Sequence, residues 1–252
     1  MNRFIRFAST AVAVAGITVP AASALAQKDG KPTVAIMFFN NNAYGAGARD
    51  YDGLSKGIAD FLITEMAVNP NIRVVERDQV QKLIDEQKLV TNGIVDRESA
   101  VRVGKLLGAQ HMIFGGFMAD PRGNVRIDAR AVDVGTSAIE YTERVQDKAD
   151  NIMTLIGALA AKMNKGMLLP AVPARTGEAG APAASAPGAQ LAGAPAAPTK
   201  LPMRYAVMYG KALDLADRGD KTRAVELFSA VLKEFPDFTP AQSAKSKLAP
   251  GT

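Results

Sequence analysis

Side chains that could carry out chemistry are sparse in this chain. His111 is its only histidine, and it contains no cysteine. A nucleophile–base pair or a tetrahedral metal site needs at least one further partner of those types, so His111 reads as a structural residue at the start of an apolar strand. Asp85 and Glu86 stand beside Lys82 and Lys88 on one helical stretch, where ordinary surface pairing accounts for them. Neither G-x-S-x-G nor G-x-x-x-x-G-K-[ST] occurs. Gly45-Ala46-Gly47 lies between a predicted strand and a predicted helix, where glycine lets backbone amides approach a phosphate. Where the dinucleotide pattern needs its third glycine, the chain has Asp50, whose charge repels phosphate. No catalytic group, cofactor or metal site is therefore expected. The polar loop Asn40–Gly47 contributes the only candidate binding residues of the first half: Asn41, Asn42 and Tyr44.

The elements around that loop follow from hydropathy patterning. Thr33–Phe39 is apolar almost throughout, a strand covered on both faces. Leu54, Ile58, Phe61, Leu62 and Met66 form one stripe of a helix that ends near Asn69-Pro70. After Val74-Val75 a helix opens at Glu76-Arg77-Asp78, with Asp78 at its positive end and Val80, Leu83, Ile84 and Leu89 apolar. Asp96 caps the next helix, which turns Ala100, Val103, Leu106 and Leu107 inward and stops at Gly108. The run His111–Phe114 before Gly115-Gly116 is a buried strand, and Asp120-Pro121-Arg122-Gly123 is a hairpin turn. Val125–Ala131 alternates strictly, which marks a half-buried antiparallel strand. A fifth strand falls within Ala138–Gln146, and a helix spans about Asp150–Lys165. The order is β-α-β-α-α-β-β-β-α, a mixed β-sheet packed with helices, α+β in class.

The words RVVERDQVQKLIDEQKL and GIVDRESAVRVGKLLGAQHMIFGGF, in this order, resemble the CsgG-type domain of the bacterial curli secretion channel and its relatives. The resemblance covers about Pro32–Met167 and assigns residues 31–167 to that domain. In the curli channel the loop after the first strand lines the narrow point of the pore. The resemblance thus points to Asn41, Asn42 and Tyr44 by location and residue type. It also implies a protein that forms rings of subunits and contacts envelope proteins. The curli channel carries two long inserted hairpins that build a membrane barrel. Here the corresponding stretches, Phe117–Val125 and Thr142–Ala149, are too short for two strands of roughly ten residues each.

Both ends differ from this body. Arg3 and Arg6, an apolar run Phe7–Val19 and Ala24-Leu25-Ala26 have the layout of a secretory signal over residues 1–26. That run falls short of the ~20 apolar residues that span a bilayer, so export to the periplasm is expected, with no membrane-spanning segment in the mature chain. Without cysteine no lipid can be attached at a cysteine after the signal, and the mature chain is expected in the periplasm with outer-membrane association open to it. Losing Arg3 and Arg6 lowers the formal excess from +5 to +3, and no basic run interleaves with aromatics, which excludes nucleic acid as a partner. Residues 168–202 are rich in Ala, Pro and Gly and read as a disordered linker. Residues 203–248 resemble one tetratricopeptide repeat with a shielding helix, with Ala212, Leu215, Ala224, Phe228 and Pro236 at the packing positions.

The sequence thus predicts an exported, non-enzymatic CsgG-like accessory of outer-membrane or envelope assembly, or of secretion of a surface polymer or fibre. It would act through protein contacts, including a homo-oligomer. A regulator of a cell-wall synthase is the alternative, followed by a periplasmic small-ligand-binding protein or enzyme.

Overall fold

The computed structural model describes residues 30–45, 47–88, 94–120, 122–148, 150, 152–172 and 200–248. The proposed signal, residues 173–199 of the linker, Ala46, Leu89 and Pro121 lie outside the described residues. From Lys31 onward these residues form one compact unit.

Among the described residues five strands make one sheet in the order β2-β1-β3-β4-β5. They are β1 (Thr33–Asn41), β2 (Arg73–Val74), β3 (His111–Ala119), β4 (Asn124–Asp133) and β5 (Ile139–Lys148). The central β1 pairs in parallel with β2 and β3, while β3, β4 and β5 run antiparallel to one another. Helices α1 (Leu54–Ala67), α2 (Arg77–Gln87), α3 (Arg97–Leu107) and α4 (Ile152–Gly166) complete the predicted α+β order. A single 3-10 turn, Ala48–Tyr51, precedes α1.

Each face of the sheet has its own core. On one face Ala35, Met37, Met112 and Phe114 pack against Val80 and Ile84 of α2 and Val103 of α3. On the other, Ile36, Ile113 and Ile127 meet α1 and α4. Asp96 caps α3 as expected: its carboxylate accepts from the Ser99 amide at 2.8 Å, and Ser99 Oγ accepts from the Asp96 amide in return. Gly108 closes the helix in the left-handed region, φ 66°. Helix α3 turns one residue of the expected inward set outward. Leu106 is 57% exposed, and Val101 and Gly104 are buried instead. A side chain at Gly104 would overlap Met112 and Val134, so α3 lies close to the sheet on its glycine side and Leu106 is turned away.

Three further helices follow, α5 (Met203–Asp217), α6 (Lys221–Glu234) and α7 (Thr239–Leu248): α5 lies on α1, α6 packs on α5, and α7 packs on α6. Helix α1 is apolar on two sides: besides the predicted stripe it buries Gly57, Ala59 and Ile63. A Cβ at Gly210 of α5 would collide with the carbonyl oxygen of Gly53, so the two helices touch backbone to backbone. Around that crossing Phe61 stacks on Tyr209 at 5.2 Å between ring centroids, and Phe228 and Phe238 close the cluster. The sheet, α1, α4 and the three C-terminal helices share one hydrophobic core. The ends of the Ala/Pro-rich stretch join it: Leu169 and Leu201 are buried, and Asn69 Nδ2 donates to the Pro170 carbonyl at 2.8 Å.

Candidate functional site

The loop after β1 divides the three residues singled out there. Asn41 holds the loop itself. Its amide donates to the Ala48 carbonyl at 2.9 Å and to the Asp52 carboxylate at 2.6 Å, and its oxygen accepts from the Ala43 amide at 2.9 Å. Asn42 donates its backbone amide to the Phe117 carbonyl at 2.8 Å and lays its side chain over Gly116. Tyr44 is 66% exposed. Gly45 and Gly47 both have positive φ and lead into the 3-10 turn carrying Asp50, not directly into α1. The loop presents Asn42 and Tyr44 outward, while Asn41 is structural.

Of the tetratricopeptide-like positions, Ala212, Ala224 and Phe228 are fully buried, Leu215 is partly buried, and Pro236 is exposed just beyond α6. Asp220 caps α6 by accepting from the Arg223 amide at 3.2 Å. His111 pairs with Glu140 at 2.7 Å across the β3 and β5 ends. Among the described residues no group of three or more His, Asp or Glu side chains could hold a metal ion.

The densest polar arrangement lies where α1, α2 and α5 meet. Arg77, the first residue of α2, makes a bidentate bond to Asp217 of α5 at 2.8 and 3.1 Å. It also reaches Asp78 at 2.6 Å, and its Nε lies 3.7 Å from Asp60 of α1. Lys56 adds contacts to Asp217 at 2.7 Å and Asp214 at 3.0 Å. Tyr209, 1% exposed, donates its hydroxyl to Asp60 at 2.6 Å. Burial pushes the Asp60 carboxyl above its ordinary range, against the Tyr209 hydrogen bond and the charge of Arg77. Burial and the neighbouring Asp60 push the Tyr209 phenol well above its usual value. The Arg77 guanidinium loses hydration there, yet the Asp217 bond and the surrounding carboxylates hold it more firmly protonated.

Above this cluster opens a cleft of about 470 Å³ between the α1–α2 side and α5–α7. Asp60 and Tyr209 line its depth, and Ala216, Ala244 and Leu248 give its wall an apolar part, with Leu213 and Phe228 buried behind it. Glu76 and Asp78 face Lys247 of α7 across it, with Lys247 Nζ 3.3 Å from Asp78. The sequence reading missed this site because its parts come from far-separated elements: Asp60 and Tyr209 are 149 residues apart, Arg77 and Asp217 140. A signal was nevertheless present in α1, where Asp60 interrupts the apolar run Gly57–Ile63.

A sequence profile of the family "curli production assembly/transport component CsgG" matches residues 18–122. The match ends in the β3–β4 turn, so β4, β5 and all later helices lie beyond it. No curated protein matches the chain. Among solved structures, the C-terminal domain of LpoB from Escherichia coli is 13% identical over 46% of this chain and 82% of its own, with a TM-score of 0.34. A PelC dodecamer from Paraburkholderia phytofirmans is 9% identical over 56% and 89%, with a TM-score of 0.32. A lipoprotein from Neisseria meningitidis is 10% identical over 52% and 95%, with a TM-score of 0.37. Likenesses at this level carry no functional assignment.

Proposed function

We propose that this chain is an exported, non-enzymatic CsgG-like accessory of the cell envelope that works in the periplasm through protein contacts. The profile match over β1–β3 supports the family reading, and the signal-like first 26 residues support export. The observation that carries the proposal is the length of two connections. Residues 120–123 link β3 to β4, and residues 149–151 link β5 to α4. A membrane hairpin needs two strands of about 9–11 residues plus a turn, so neither connection can supply one. Among the described residues no helix is long and apolar enough to cross a membrane. Assembly of a surface polymer or fibre is the setting this reading favours, with a homo-oligomer and envelope proteins as the contacts.

The test has two arms. Purified mature protein added to liposomes is expected to leave ion conductance at background, and conductance by the protein alone overturns the reading. Crosslinking in intact cells is expected to trap an outer-membrane or secretion protein. Capture of a cell-wall synthase instead replaces the assembly role with regulation of that enzyme.

A further inference from the structure

We propose that the cleft between α1–α2 and α5–α7 is a docking site for a basic side chain, arginine or lysine, on an extended segment of a partner protein. The inference rests on the protein-contact reading above and supplies the partner's chemistry.

Size and lining give the first argument. About 470 Å³ falls within the ~300–1,000 Å³ of sites that enclose a small ligand. Ala216, Ala244 and Leu248, all partly exposed, offer an apolar wall to an aliphatic stem, while the carboxylates lie deeper and across the mouth. Charge gives the second. Four carboxylates (Asp60, Glu76, Asp78 and Asp217) line the cleft against two cations, Arg77 and Lys247, and Lys56 behind the lining also holds Asp217, which leaves Asp60, Glu76 and Asp78 as the carboxylates open to an incoming cation. Arg77 is committed to Asp217 and Asp78, leaving its Nε 3.7 Å from Asp60, beyond hydrogen-bond reach. Among the described residues Asp60 thus has one close side-chain donor, the Tyr209 hydroxyl, and its partly buried carboxyl gains from a cation placed in the cleft. The mouth gives the third. Lys247 already holds an ammonium against Asp78 at 3.3 Å, and both side chains are more than half exposed. A pair so exposed holds weakly and exchanges readily, so an incoming guanidinium can take the place of Lys247 on Asp78.

That exchange makes the test signed. The full mature chain is titrated with a fluorescent Ala-Leu-Arg-Leu-Ala peptide, with the same peptide carrying norleucine or glutamate at the centre, and with free arginine. The expected result is saturable binding of the arginine peptide below about 1 mM, at least about tenfold tighter than any of the other three. Asp78→Asn lies at the exposed mouth, leaves the core intact, and is expected to weaken binding about threefold or more. Lys247→Ala removes the competing ammonium and is expected to tighten it. Equal binding of the norleucine peptide, or no binding of the arginine peptide, overturns the proposal. So does a Lys247→Ala variant that binds more weakly, and free arginine binding as well as the peptide refutes the extended-segment part. Because the titration uses purified protein, its failure is separable from the cell crosslinking that tests the broader function.

Discussion

Replacing Gly210 by alanine distinguishes a docked helix from a free-standing one by the sign of the effect. In an unpacked helix interior, alanine is better than glycine by about 0.8–1.0 kcal/mol, so the substitution stabilises. Here the added Cβ would run into the Gly53 carbonyl, with the Gly57 amide also close by. These are backbone atoms at the start of α1, with no flexible side chain able to swing away. Overpacking of this kind costs about 1–3 kcal/mol, and a rigid opponent places the expected loss at about 2–3 kcal/mol. For a chain of this size that lowers Tm by about 4–12 °C. Gly157 in α4 is the matched control: its nearest neighbour to an added Cβ is the Glu65 carboxylate at 3.6 Å, so Gly157→Ala is expected to leave stability unchanged or raise it by up to about 1 kcal/mol. Thermal and urea unfolding followed by circular dichroism reads both variants. If Gly210→Ala stabilises the protein, α5 does not sit on α1 and the cleft does not exist.

Other predictions follow from the polar groups. The raised Asp60 carboxyl contributes stability when protonated, and that contribution is lost as pH rises from the ordinary 3.8 through the raised folded value; Tm curves of wild type and Asp60→Asn should therefore diverge with rising pH in favour of the variant, and parallel curves contradict this. Tyr209→Phe removes the close donor to a partly buried carboxyl and should cost about 0.5–1.5 kcal/mol in urea unfolding at neutral pH, with no change contradicting the assigned bond. Asn41→Ala should lower stability by about 1–3 kcal/mol through three lost loop hydrogen bonds, whereas Tyr44→Ala, at an exposed tip, should stay within about 0.5 kcal/mol.

The α+β body was legible because each element carries its own local signals. Asp96 and Gly108 bracket α3, strict alternation marks β4, and the continuous apolar run of β1 foretold its burial on both faces. Leu106 was misplaced because spacing alone cannot say which arc of an amphipathic helix is covered; the bare surface of Gly104 decides that by admitting the sheet so closely. The cleft was hidden for a different reason. Asp60, Arg77 and Tyr209 look like ordinary surface or core residues until α5 is laid across α1, a contact between segments about 150 residues apart. The clue in the sequence was Gly57 of α1, where an added Cβ would lie 3.3 Å from the Ala206 carbonyl, one turn before the Phe61 that stacks on Tyr209.

The cleft, and the partner chemistry drawn from it, exists only while α5–α7 are packed on α1. Native-state hydrogen exchange of the mature chain measures this directly, because amides of elements that share a core open with a common free energy. Slow exchange in α1 and α5, with matching opening free energies that fall together in Gly210→Ala, is the predicted result. Amides of α5 that exchange freely while α1 stays protected would contradict the account.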